Sequence, residues 1–307
     1  MAGISSTAAA GRRRGRLARR TRRGLTAFGA ARRRRRRERF AAVLARPEDA
    51  TLRTLARAAR SEAGICDLGA ETDRVWARLL PADRDMLRYH LRAAGVPATL
   101  RRAARSWSSG RRARAATAIG DLRLGEGARD LDRLLRDRDP RVRMSAARAL
   151  GRIATHQSAR TLIAALELGL LPEQRLVEVL GEPWAATPLL LAFRAPRTVA
   201  LRVPLADALG RTGAAAAVDT FVAAMPAAST DLRIRMVRAL TRIGSPAAVA
   251  AVRAAMSDPH GRVRAQAAWS LARLGDPDAT ALLEHGLHDS APWVRANCTA
   301  ALRRLAQ

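Results

Sequence analysis

The 307-residue chain contains no lysine: all 56 of its basic residues are arginine. Cysteine, tyrosine and long apolar runs are also scarce. Two cysteines, Cys66 and Cys298, cannot build a disulfide framework, which excludes a small disulfide-stapled secreted fold and points to a reducing, cytoplasmic setting. No stretch approaches the roughly 20 consecutive apolar residues of a membrane span. The gap between the amino-terminal arginine clusters, "GLTAFGAA" (24–31), is too short for a signal-peptide core, and six more arginines follow it. Alternation of apolar and polar residues with period 2, the mark of a half-buried strand, does not occur. Phosphate-binding glycine loops are missing as well, since "GEG" (125–127) lacks the rest of any such fingerprint.

What is present is arginine and alanine, the usage expected of a GC-rich genome. Part of the formal net charge of +29 is therefore mutational in origin, and it is weak support for a nucleic-acid partner. The charge is uneven. Residues 1–40 hold 15 arginines against Glu38 alone, whereas the other 267 positions carry a net charge of only +15.

Near copies of one segment recur: "RDPRVRMSAARALGRIA" (138–154), "PHGRVRAQAAWSLARLG" (259–275) and "APWVRANCTAALRRLA" (291–306). An apolar landmark near the end of each copy returns as Ile119, Leu150, Leu180, Leu209, Leu240, Leu271 and Leu302, at spacings of 29 to 31 residues. A period held over this length marks a repeat architecture. Apolar residues four and eight positions before the landmark lie on one helical face, as in Ala146 and Val142 or Ala267 and Val263. Those at twelve and sixteen after it, such as Leu131 and Leu135 or Leu283 and Leu287, form the stripe of a second helix. Gly213, Gly244 and Gly275 fall four residues after the landmark, where a helix end favours a left-handed residue. "SP" (245–246), "DP" (276–277) and "DP" (139–140) supply an N-cap followed by proline in the first turn. Each unit is thus helix, tight turn, helix. Neither helix buries its stripe alone, so the units stack.

A helical pair of about 31 residues carrying "D-P-x-V-R" and "A-A-x-A-L-G" resembles a HEAT repeat, of the short kind known from phycobilisome lyases and many bacterial scaffolds. The resemblance implies an all-α fold: a right-handed, armadillo-like α-solenoid with a helical N-terminal cap. The expected division is a basic, disordered tail over 1–39, a helical cap region over 40–108, and the solenoid over 109–307. Its units fall near 109–137, 138–168, 169–195, 196–226, 227–257 and 258–288, with a half unit over 289–307.

Seven residues before each landmark stands Arg112, Arg143, Arg202, Arg233, Arg264 or Arg295, with Glu173 in the third unit. This ladder is read as structural, each arginine bonding an acid or carbonyl of its own or the adjacent unit, with Asp137, Asp258 and Asp289 as partners. The competing reading is an anion-binding stripe. The third unit breaks the pattern through Pro172, Pro183, Pro188 and Pro196, and it has Trp184 where a capping glycine belongs. Pro172, Pro183, Trp184 and Pro188 are therefore the candidate kink or partner-contact region. Second helices of HEAT arrays usually line the ligand face, and here they carry little charge: "PAAVAAVRAAM" (246–256) has only Arg253. Such a face suits a protein or peptide better than nucleic acid, which needs cations there.

No catalytic or metal constellation emerges, and no cofactor is expected. His285 and His288 could share a helical face, but no second pair completes a metal site. Deoxyhypusine hydroxylases, built from similar repeats, need several His-Glu pairs, and this chain has no His-Glu dipeptide. Nothing selects a bilin pigment, and Trp184 with Glu182 lacks the basic face of a DNA glycosylase of this fold. Cys298 occupies a core slot. Trp293 is read as a cover for the open end of the array.

Over 41–108 the pattern stays helical but leaves the repeat register, as expected of helices that cap an end unit. Residues 1–31 have the composition of a disordered segment, and the block Arg32, Arg33, Arg34, Arg35, Arg36, Arg37 leads into a first helix over 32–45. That block attracts polyanions: an anionic membrane surface or nucleic acid. The expected function is a non-enzymatic protein-interaction scaffold, cytoplasmic and peripheral at the inner membrane face, with an unidentified protein partner and no small-molecule substrate. The alternatives are a nucleic-acid-binding protein acting through the tail and a HEAT-fold enzyme of the bilin-lyase or DNA-glycosylase kind.

Overall fold

The computed structural model describes residues 30–46, 48–58 and 61–306; of the tail expected over 1–39, residues 1–29 lie outside them. Among the described residues eighteen α-helices, joined by short 3-10 turns, account for the fold, and no strand occurs. The chain is an α-solenoid. It divides into two compact units, Met1–Gly127 and Ala128–Gln307.

In the first unit, α1 spans 30–45. It is followed by α2 (Asp49–Ala58), α3 (Glu62–Val75), α4 (Pro81–Ala93), α5 (Val96–Ala104) and α6 (Ser109–Asp121). Phe40, Leu44, Leu52, Ile65, Leu68, Leu91, Leu100 and Ile119 are buried and form its core. Both α3 and α5 pack on α6, so the first helix of the expected array lies in the same compact unit as the amino-terminal helices, a unit that ends at Gly127. Residues 30–45 are helical, in line with the first helix expected over 32–45, and the placing of residues up to 39 in a disordered tail is corrected over 30–39. The physical reason is a pair of acids on α3, described below, which neutralise two of its arginines.

The second unit comprises α7 (Ala128–Leu134), α8 (Pro140–Ile153), α9 (His156–Glu167), α10 (Glu173–Leu180), α11 (Ala186–Arg194), α12 (Arg202–Thr212), α13 (Ala217–Ala224), α14 (Thr230–Ile243), α15 (Pro246–Ala254), α16 (Gly261–Leu274), α17 (Thr280–His285) and α18 (Pro292–Leu305). The first helices α8, α10, α12, α14, α16 and α18 pack side by side in chain order, and the second helices α9, α11, α13 and α15 do likewise. Landmarks Leu150, Leu180, Leu209, Leu240 and Leu271 are buried between the rows, as are Ala146, Leu176, Leu205, Met236, Ala267 and Cys298. Leu302, on the last helix, is half-buried.

Close approach of the first helices depends on the glycine that follows the landmark. A Cβ at Gly210 would lie 2.5 Å from Ala239 Cα of α14, one at Gly151 2.6 Å from Val179 Cγ1 of α10, and one at Gly181 2.6 Å from Arg211 Cβ of α12. Four residues after the landmark the chain turns left-handed: φ is +69° at Gly213, +62° at Gly244 and +66° at Gly275. Ala154 and Arg123 hold the equivalent slots with φ of +58° and +50°, so the turn geometry persists where glycine does not. Asp139 caps α8 through the Arg141 amide at 2.8 Å, and Ser245 caps α15 through the Ala248 amide at 3.3 Å. Asp276 departs from its expected capping role: no side-chain cap bond is made there, and its carboxylate turns to Arg253.

No single described helix is long and apolar enough to cross a membrane; the pair Glu173–Leu180 and Pro183–Arg194 meets that length and composition only with a 96° bend between them.

Candidate functional site

The arginine ladder is a repeated fastening. Arg143 Nη1 donates to the carbonyls of Asp137 (3.0 Å) and Arg138 (3.3 Å), Arg264 Nη1 to those of Asp258 (2.8 Å) and Pro259 (3.2 Å), and Arg295 Nη1 to those of Asp289 (2.8 Å) and Ser290 (3.2 Å). Arg112 does the same with Ser106 and Trp107, both at 2.9 Å, and Arg233 with Ala228 at 2.7 Å. Each guanidinium thereby ties the loop before its helix to the first turn. Where the next unit offers an aspartate, the arginine also reaches forward. Arg264 grips Asp289 through Nε (2.6 Å) and Nη2 (2.7 Å), a two-pronged, charge-assisted bond, and Arg233 Nη2 meets Asp258 at 3.2 Å. Asp289 and Asp258 in turn accept the Ala291 and His260 amides, each at 2.8 Å, so one carboxylate links two units and starts the next helix. The hydrogen bond from Arg264 holds the Asp289 carboxyl below the usual carboxylate range. Arg143 faces no such acid and uses the Leu170 carbonyl instead, at 2.7 Å. Arg202 lies over the Phe193 ring at 5.9 Å, and its Nε is buried without a hydrogen-bond partner.

The amino-terminal arginines divide. Arg36 and Arg37 are part-buried and face α3, where Arg36 pairs with Asp67, and Arg37 lies 3.3 Å from Asp67 and 3.8 Å from Glu71. Arg34 pairs with Glu38 one turn on, at 2.8 Å. The grouping of all six as a free polyanion-binding tail is corrected accordingly: Arg32, Arg33 and Arg35 remain exposed, while Arg36 and Arg37 are engaged within the unit. Asp67 and Glu71 are themselves buried, which explains the pairing, since a buried carboxylate needs a cation or hydrogen-bond donors.

The third repeat is the irregular one. Its first helix, α10, has eight residues against 14 in α8, α14, α16 and α18. Pro172 takes the N-cap position of α10 and Pro183 starts a 3-10 turn that also holds the half-buried Trp184. Pro188 is buried in the first turn of α11, where a proline is tolerated. Beside it lies a groove of about 350 Å³ between the second helices α9 and α11. Ile163 and Ala164 form one wall, Pro188, Leu191 and Ala192 the other, and Leu201 and Leu205 contribute from the following segment. Leu191 is 63% exposed although it is a large apolar residue. Arg160 and His156 stand at one side, and Arg197 lies 3.6 Å from Glu167. Of the four residues singled out in this region, only Pro188 lines the groove. Leu191 was missed because an apolar residue within "PLLLAF" is indistinguishable in the sequence from core.

Arg253, the one cation of α15, is bound by the Asp276 and Asp278 carboxylates of the next turn, so its charge is met within the protein. His285 and His288 are exposed, and no group of three or more His, Cys, Asp or Glu residues that could hold a metal occurs among the described residues. Cys298 is buried against Gly286, and burial pushes its thiol up to about 11, away from the range of a reactive thiolate. Trp293 does not cover the end of the array: its indole lies back over Gly261 at the start of α16 and is 53% exposed.

The family model that describes HEAT repeats matches residues 96–181 and 218–303, more than half of the chain. Its first stretch starts at α5, inside the region expected to be a cap. No curated protein matches. Among solved structures, human deoxyhypusine hydroxylase is similar at 18% identity, covering 84% of this chain and 96% of that one, with a TM-score of 0.37. The phycocyanin lyase complex of CpcE and CpcF from Nostoc is similar at 19% identity over 68% of this chain and 96% of that one, with a TM-score of 0.33. Importin beta is similar at 17% identity over 82% of this chain and 40% of that one, with a TM-score of 0.43.

Proposed function

Because the chain belongs to the HEAT-repeat family, we propose that it is a non-enzymatic protein-interaction module whose second-helix face takes up a peptide segment of a partner protein. The observation that carries this reading is the apolar groove between α9 and α11 with Leu191 standing exposed in it. Leaving a leucine in water forgoes roughly 2 kcal/mol that burial would return, and a partner's apolar side chain recovers it. Arg160 and His156 beside the groove favour an acidic residue next to that anchor. The exposed Arg32, Arg33 and Arg35 serve as an electrostatic handle that holds the module at an anionic surface on the cytoplasmic side.

A displayed peptide library selected on the full chain tests the reading. Selected peptides should share an apolar anchor with an acidic neighbour. They should be released by Leu191→Asp, which places a charge on an exposed position without entering the core. Arg160→Glu should remove the acidic preference and leave the apolar one. Selected peptides that bind Leu191→Asp as well as the parent protein refute the groove as the site.

A further inference from the structure

A second surface lies on the other row of helices. Between α14, α16 and α18 is a cavity of about 590 Å³, far from the α9–α11 groove in sequence. Four exposed arginines, Arg238, Arg242, Arg262 and Arg273, line it together with Trp269 and Trp293, and none of its lining residues is acidic. Trp269 is 45% and Trp293 53% exposed. The carboxylates that approach these cations are Asp207, 3.4 Å from Arg242 and shared with Arg235, and Asp231, 3.5 Å from Arg262, so positive charge remains in excess.

Arginine alone would carry no inference in a chain this rich in it. The indoles do. Two of the five tryptophans of the chain open onto one cavity, and the Arg273 guanidinium rests 5.5 Å from the Trp269 ring centre, a cation laid against an aromatic plate. Gln266 and Asn297 lie in the same walls, where their amides hold neighbours in place: Gln266 Oε1 accepts from Arg238 Nε at 2.8 Å, and Asn297 Nδ2 donates to the Trp293 carbonyl at 2.8 Å. Cations for phosphates and aromatic plates for bases are the two elements of sequence-tolerant single-strand recognition. A protein partner would need to bring several carboxylates at once. A bilayer would favour indoles on a projecting ridge rather than in a concavity.

We propose that this first-helix surface binds single-stranded nucleic acid, with phosphates on Arg238, Arg242 and Arg262 and bases stacked on Trp269 and Trp293. It is independent of the peptide groove, so either can fail without the other.

The test uses the full chain and a fluorescein-labelled oligouridine of about 12 nucleotides at about 150 mM salt, read by anisotropy and by quenching of tryptophan emission. Trp269→Ala should weaken binding about tenfold or more, while Trp269→Phe, which keeps an aromatic plate, should retain most of it. Arg238→Ala and Arg262→Ala should each lower the slope of log affinity against log salt by about 0.7. Circular dichroism of each variant establishes that it is folded, and the Phe variant keeps the test decisive if the Ala variant is not. Equal binding by a Trp269→Ala, Trp293→Ala double variant overturns the proposal and moves any binding to the amino-terminal arginines. Absence of binding overturns it too. So does binding to phosphatidylglycerol vesicles that depends on Trp269 while the oligonucleotide shows no such dependence, which assigns the surface to membrane.

Discussion

Replacing Gly210 with alanine tests the packing of the repeats more sharply than any change to an apolar core residue. In a helix interior this substitution ordinarily helps, by about 1 kcal/mol. Here the added methyl would sit 2.5 Å from Ala239 Cα, 2.7 Å from its Cβ and 3.2 Å from its carbonyl oxygen. Two of these three atoms are backbone, so no rotamer change relieves the overlap, and α12 must move off α14. Overpacking of this kind costs about 1–3 kcal/mol, and a backbone obstacle puts Gly210 at the upper end. The expected net effect is a loss of about 2 kcal/mol, which for a unit of this size lowers Tm by about 4–8 °C. Thermal and denaturant unfolding followed by far-ultraviolet circular dichroism measures it, with tryptophan emission as a second probe of cooperativity. Gly110→Ala is the control, because its nearest neighbours are Ser108 Oγ at 3.7 Å and Arg114 Nη1 at 3.8 Å, and it should be neutral or slightly stabilising. A Gly210→Ala protein as stable as the parent would refute both the close α12–α14 approach and the dependence of that approach on the glycine after the landmark.

Two further predictions concern the turn and the fastening. Ala154 holds a left-handed φ of +58° in the slot that Gly213, Gly244 and Gly275 fill elsewhere, so Ala154→Gly should raise stability by up to about 1 kcal/mol, read from the denaturant midpoint. Arg123→Gly should not, since Arg123 also pairs with Asp73 at 2.5 Å. The folded state lowers the Asp289 pKa through Arg264, so this pair stabilises the protein above the ordinary carboxylate pKa of about 4 and is lost as pH falls through the folded value. Asp289→Asn should therefore destabilise the protein near neutral pH, and its deficit against the parent should shrink in acid; a deficit that is the same at about pH 3 as at about pH 7 would show that ionisation of this carboxylate is not what matters.

The repeat itself was legible from spacing, because helical periodicity is local: residues four apart share a face whatever surrounds them. That is why the buried landmarks, the left-handed glycines after them and the caps at Asp139 and Ser245 could be placed from the sequence. The arginine ladder was visible by the same token, since a fixed offset from a buried landmark fixes where a side chain points. What no offset encodes is which elements from different parts of the chain come to lie together. Asp67 and Glu71 draw in Arg36 and Arg37 from about thirty residues away, and Arg253 takes Asp276 from its cap, because partly buried charges seek the partner that folding brings within reach. The exposure of Leu191 and the convergence of Trp269 and Trp293 on one cavity likewise depend on how far neighbouring helices stand apart. Sequence alone determined the unit, its period and its caps, since these follow from interactions within a few residues. Tertiary structure decided which charges are spent internally and which surfaces stay open, since those follow from distances between helices that the periodic pattern leaves unspecified.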